Sequence, residues 1–75
     1  MATETFADLL KASMTVRALT RAQLAAALGV DPSQVTRYLA GTQHPDPPRM
    51  ATLAVVLGWD DATRVRAFNL IAREW

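Results

Sequence analysis

Thr20-Arg21-Ala22-Gln23-Leu24-Ala25-Ala26-Ala27-Leu28-Gly29-Val30-Asp31-Pro32-Ser33-Gln34-Val35-Thr36-Arg37-Tyr38-Leu39-Ala40-Gly41 reads as two short helices and the turn between them. Thr20 stands where an N-cap belongs, and Gln23 follows three residues on, the spacing of a capping box. A helix over 21–28 follows, with Leu24, Ala25 and Leu28 on its buried face. Gly29 ends it, since glycine accepts the left-handed conformation that closes a helix. Asp31 and Pro32 then repeat the start signal, an N-cap followed by a first-turn proline, and Gln34 is spaced to complete a second capping box. The second helix covers 32–40 and stops at Gly41. Only Gly29-Val30 links the two, which leaves room for nothing but a tight turn. Ala25 is small where the helices cross, so their axes can approach closely.

On a wheel of about 100° per residue the second helix splits into two faces. Val35, Tyr38 and Leu39 share one side, and Ser33, Thr36, Arg37 and Ala40 share the other. The outer face is small and polar, with one long cation. A helix entering a DNA major groove about 12 Å wide must be slim there and must carry hydrogen-bonding groups. An ordinary solvated helix is also polar outside, so the face gains weight only from the turn beside it.

Further helices flank this unit. One spans about 4–17, with Phe6, Leu9, Leu10 and Met14 as its apolar stripe. Another spans 47–57, with Met50, Leu53, Ala54 and Leu57 inward and Gly58 beyond its end. The last runs from 61 onward, with Asp60 as N-cap and Val65, Phe68 and Ala72 expected to face the core. That leaves Leu70, Ile71 and Trp75 without a clear partner; residues 65–75 read either as a contact for a second copy or as closure of one small core. Residues 42–46 form a short loop, and Trp59 is expected to pack over the end of the helix before it. No segment alternates with period two, so no strand is expected. The fold class is all-α: a compact bundle of about five short helices with a central helix-turn-helix, one domain over 1–75.

Composition bounds the function. The 75 residues are 51% apolar and 20% charged, a globular balance that allows one small core. Net charge is only +1, but its distribution is uneven. Lys11, Arg17, Arg21, Arg37 and Arg49 face only Asp31 and Asp46 in the middle of the chain, whereas both ends are acidic or balanced. With no cysteine, one histidine and no glycine-rich phosphate loop, neither an enzyme, a metal site nor a cofactor is expected. Met1-Ala2-Thr3-Glu4 does not resemble a signal peptide, and no apolar run approaches the ~20 residues that span a bilayer. The expected location is the cytoplasm of a prokaryotic or phage-infected cell, with no membrane partner and no small-molecule ligand.

From about Phe6 to Trp59 the chain resembles the Cro and lambda-type repressor family. The resemblance rests on Leu19-Thr20, Leu24-Ala25, Leu28-Gly29-Val30, Ser33, Val35, Gly41, Pro45, Leu53-Ala54 and Leu57-Gly58. It implies a DNA-binding transcriptional regulator, a repressor, whose 32–40 helix enters the major groove while the 21–28 helix lies across the backbone. By that resemblance Pro32, Ser33, Thr36 and Arg37 occupy base-facing positions. Arg21 takes the place of a common phosphate-contacting glutamine, and Thr42, Gln43 and His44 lie in a loop that often touches phosphate. Arg49, opening the next helix, reads equally as a phosphate contact or a surface charge, and His44 on its own terms reads as a surface side chain. Relatives bind as two-fold dimers on double-stranded operators, which makes a homodimer on DNA an expectation.

Three departures matter. Pro32 cannot donate the hydrogen bond that a glutamine would. Met14 and Leu39 are apolar where relatives often place an arginine–glutamate pair, a swap that is often neutral or stabilising. Asp31 puts an acid at the front of the groove helix, favourable as a cap but repelled by phosphate. The competing reading is a protein-interaction module of the same fold, such as an antitoxin or anti-repressor.

Overall fold

Thr5 decides where the chain becomes helical. Its hydroxyl accepts the Asp8 amide at 3.1 Å, and the Asp8 carboxylate accepts the Thr5 amide at 3.1 Å. In this computed structural model, which describes residues 4–74, α1 therefore spans Phe6–Arg17 rather than starting at Glu4. The other elements are α2 Arg21–Leu28, α3 Pro32–Ala40, α4 Pro47–Val56 and α5 Asp61–Glu74. Among the described residues no strand occurs, and no helix is long and apolar enough to cross a membrane.

The caps differ from expectation at one helix. Thr20 and Gln23 form the expected reciprocal pair at 3.1 and 2.9 Å. Asp46 and Asp60 accept the amides of Arg49 and Thr63 at 3.0 and 2.8 Å. The Thr63 amide and hydroxyl hold the Asp60 carboxyl below the usual aspartate range. Asp31 is the correction: it makes no side-chain cap bond, and Gln34 completes no capping box. The Gln34 amide already reaches the Asp31 carbonyl at 2.9 Å, and its side chain turns toward the Tyr38 hydroxyl at 3.5 Å.

Phe6, Leu10, Leu24, Val35, Tyr38 and Leu53 are fully buried, so α1 to α4 all contribute to the centre of one core. Met14 belongs to that core and Leu39 packs against it from α3. The α5 expectation is overturned: Ala67, Leu70 and Ile71 are buried, whereas Val65 and Phe68 are 59% and 49% exposed; Trp75, left without a partner in the same reading, lies outside the described residues. Both stripes have helical spacing. The buried one continues to Glu74, whose carboxylate accepts the Phe6 amide, and Arg66 and Arg73 on α5 bond Glu4, so the start of α1 fixes the rotation of α5.

Two side chains close the far end of the bundle. The Trp59 indole N–H donates to Ser13 Oγ at 2.8 Å, and its ring meets Phe6 edge-on at 6.4 Å. Arg17 donates to the Leu57 carbonyl at 3.3 Å, neutralising the C-terminal end of α4. Gly58 lies under that guanidinium at φ +66°, and a Cβ there would collide with it.

Candidate nucleic-acid interface

The turn between α2 and α3 is set by main-chain bonds. Gly29 takes φ +71°, its amide reaches Ala26 O at 3.3 Å, and the Val30 amide reaches Ala25 O at 3.0 Å. These bonds satisfy carbonyls that the end of α2 would leave unpaired. Val30 then packs partly on the core, while Ala25 is buried beneath the crossing. The unit is thus held from inside, and the opposite side of α3 remains free.

That free side carries the expected residues. Ser33, Thr36, Arg37 and Ala40 are exposed, and Val35 and Tyr38 are buried. Arg21, at the start of α2, donates to Thr36 Oγ1 at 3.5 Å, which brings the two helices' polar faces together. Thr36 Oγ1 in turn donates to the Pro32 carbonyl at 3.2 Å, and Arg37 leans toward Gln34 Oε1 at 3.5 Å. One surface therefore gathers two guanidinium groups and two hydroxyls.

Pairing elsewhere sharpens the electrostatics. Among the described residues Arg49, Arg64 and Arg66 are paired with Asp46, Asp61 and Glu4, while Arg21 and Arg37, like Lys11, Arg17 and Arg73, are in no ion pair with a carboxylate; Arg21 and Arg37 differ from these three in sharing the outer face of the helix-turn-helix. An unpaired guanidinium keeps its charge and donor geometry available for phosphate or a base edge. Asp31 is the acid closest in sequence to this face, exposed at the front of α3.

The loop after α3 divides. Thr42 and Gln43 are exposed; the Thr42 hydroxyl donates to the Arg37 carbonyl at 3.3 Å. His44, expected beside them, turns away from solvent. Its Nε2 lies 2.9 Å from Glu74 Oε1 and its ring 6.1 Å from that of Phe6. Arg49 is drawn to Asp46 at 2.8 Å, with its Nε buried and without a partner. The links from His44 and Phe6 to Glu74 join residues 30 and 68 positions apart, and no local pattern could have announced them.

No match is found among curated proteins or among solved structures. A family profile described as a helix-turn-helix domain matches residues 5–67, from the cap of α1 through the turn and into α5. With a glycine-closed turn, a buried crossing at Ala25 and an outward polar α3, the chain belongs to that helix-turn-helix domain family.

Proposed function

We propose that this chain is a sequence-specific double-stranded DNA-binding regulator of transcription, a repressor of the Cro and lambda type acting in the cytoplasm. The observation that carries the reading is the face shared by Arg21, Ser33, Thr36 and Arg37, where two guanidinium groups stand without carboxylate partners on a helix-turn-helix frame. Helix α3 enters the major groove. Arg37 reads a base edge, guanine O6 and N7 being the best geometric match for its fork. Ser33 and Thr36 add hydroxyl contacts at the same level. Arg21, Thr42 and Gln43 hold phosphates, and Arg49 joins them by exchanging its exposed Asp46 partner for one. His44 is left out of the phosphate set because its ring is committed to Glu74.

A second copy completes the site. Val65, Phe68 and Ala72 lie at helical spacing on the outer side of α5, beside an apolar groove of about 220 Å³ between Pro45, Pro47, Met50 and Ile71. A homodimer across this face presents two α3 helices to two half-sites. The test is enrichment of duplexes from a random double-stranded library by the full chain, followed by binding at several salt concentrations. A recurrent site bound far more tightly than a scrambled duplex is expected. Failure to enrich any duplex favours the protein-interaction alternative.

A further inference from the structure

We propose that Glu74 and His44 form a latch that fixes the loop behind the groove helix, which makes an acid in the last turn of α5 a positioning residue for DNA binding. The inference rests on the DNA reading above. The loop leaves α3 at Gly41 and is tied to it by Thr42, whose amide and hydroxyl both reach the Arg37 carbonyl, at 3.1 and 3.3 Å. It rejoins the fold at buried Pro45. Between these anchors stand Gln43 and His44, and the His44 ring is the third tie. One Glu74 oxygen takes His44 Nε2 at 2.9 Å, and the other accepts the Phe6 amide at 2.7 Å.

That amide is the first of α1, a donor that no residue within the helix can satisfy, and it sits at the positive end of the helix dipole. The carboxylate is thereby held at both oxygens. Arg66 and Arg73 hold the other end of the joint, binding the Glu4 side chain and its carbonyl respectively. Loop, α1 and α5 meet at one carboxylate, and the placement of Gln43, between that tie and Thr42, depends on it. The Phe6 ring against His44 keeps the imidazole from swinging out.

The sign of the effect separates positioning from plain charge. Glu74→Ala removes an acid and makes the chain more basic, which by electrostatics alone tightens DNA binding. The latch requires the reverse. The probes are the duplex enriched by the wild-type chain and a scrambled duplex of equal length, together with hydrogen exchange at the Thr42 amide in the free protein. Glu74→Ala and His44→Phe are expected to speed that exchange and to weaken binding to the enriched duplex about tenfold. The phenylalanine keeps the packing on Phe6, so the fold survives even if the alanine variant unfolds. Glu74→Gln retains an acceptor for Phe6 and a donor for His44, and is expected to restore affinity although it lowers stability. Faster exchange with unchanged affinity in His44→Phe, unchanged exchange, or tighter binding by folded Glu74→Ala each overturns the latch. If the wild-type chain enriches no duplex, the DNA reading fails first and visibly, before any variant is made, and the positioning role falls with it.

Discussion

Arg37 and Arg21 differ in what each is asked to do. Arg37 projects from the middle of α3 and leans only on Gln34, a contact at 3.5 Å that a base edge can replace. Arg37→Ala is expected to cost about 1–3 kcal/mol on the enriched site and to flatten the preference at one base pair. On the proposed reading Arg21, at the start of α2, contacts the DNA backbone, so Arg21→Ala should reduce the magnitude of the log–log salt slope by about one on every sequence. Equal losses on enriched and scrambled duplexes for Arg37→Ala demote it to a phosphate contact. A different residue reports on stability alone. Ala18 closes α1 at φ 53°, the left-handed region that disfavours a side chain with a Cβ. Ala18→Gly relieves that conformation but frees the unfolded chain, so a net gain of about 0.5–1 kcal/mol is expected in urea unfolding. A loss would show that the Ala18 methyl packs more usefully than its exposure implies.

Between elements, the sequence was legible where structure is local and opaque where it is not. The α2 capping box, the three left-handed glycines and the inward face of α3 all follow from residues three or four apart. The α3 cap failed because Gln34 had two local uses, and its amide was already bonded to the Asp31 carbonyl. The α5 face failed for a related reason. Val65, Phe68 and Ala72 and the set Ala67, Leu70 and Ile71 are both apolar at helical spacing. Only packing against elements distant in sequence chooses between them: Ala67, Leu70 and Ile71 join the core built by α1 to α4, with the Glu4 and Phe6 contacts beside it. His44 looked free because Glu74 is invisible from the loop. The α1–α3 contact offers a direct check. Met14 is 7% exposed and Leu39 packs against the same cluster. Met14→Ala is expected to cost about 2–5 kcal/mol and Leu39→Ala somewhat less, with a double mutant that is non-additive because touching residues share one cavity. Additive losses in denaturant unfolding would mean that the two sit in separate parts of the core.

For the whole molecule, charge and symmetry set the remaining expectations. Partial burial pushes the Glu74 carboxyl up, but the His44 hydrogen bond, the Phe6 amide and the charges of His44 and Arg73 outweigh it, so the group ionises below its usual range. A lowered carboxylate pKa adds stability that is present above the unfolded value of about 4.3 and is lost as pH falls through the folded value. The stability gap between wild type and Glu74→Gln is therefore expected to shrink on acidification below about pH 4.3; a gap that widens below that pH contradicts the assignment. Symmetry raises the larger question. The protein measures 32 × 25 × 23 Å, and its α3 helix has only nine residues, which on the proposed DNA reading cover a few base pairs. Two half-sites lie about 34–36 Å apart on one side of a duplex. A single copy cannot place α3 in both, whereas the proposed homodimer supplies one α3 helix for each. Phe68 is half exposed, with Val65 one turn before it and the Pro45–Met50 groove beside it, and exposing these to water is unfavourable unless something covers them. Phe68→Asp leaves the buried Ala67, Leu70 and Ile71 untouched, so the protomer should still fold, with a lowered unfolding midpoint because the covered half of the ring is lost. Binding to an isolated half-site should be retained, and cooperative binding to the palindrome should disappear, as read by gel shift and sedimentation. Cooperative occupancy that survives Phe68→Asp would move the dimer contact to another face.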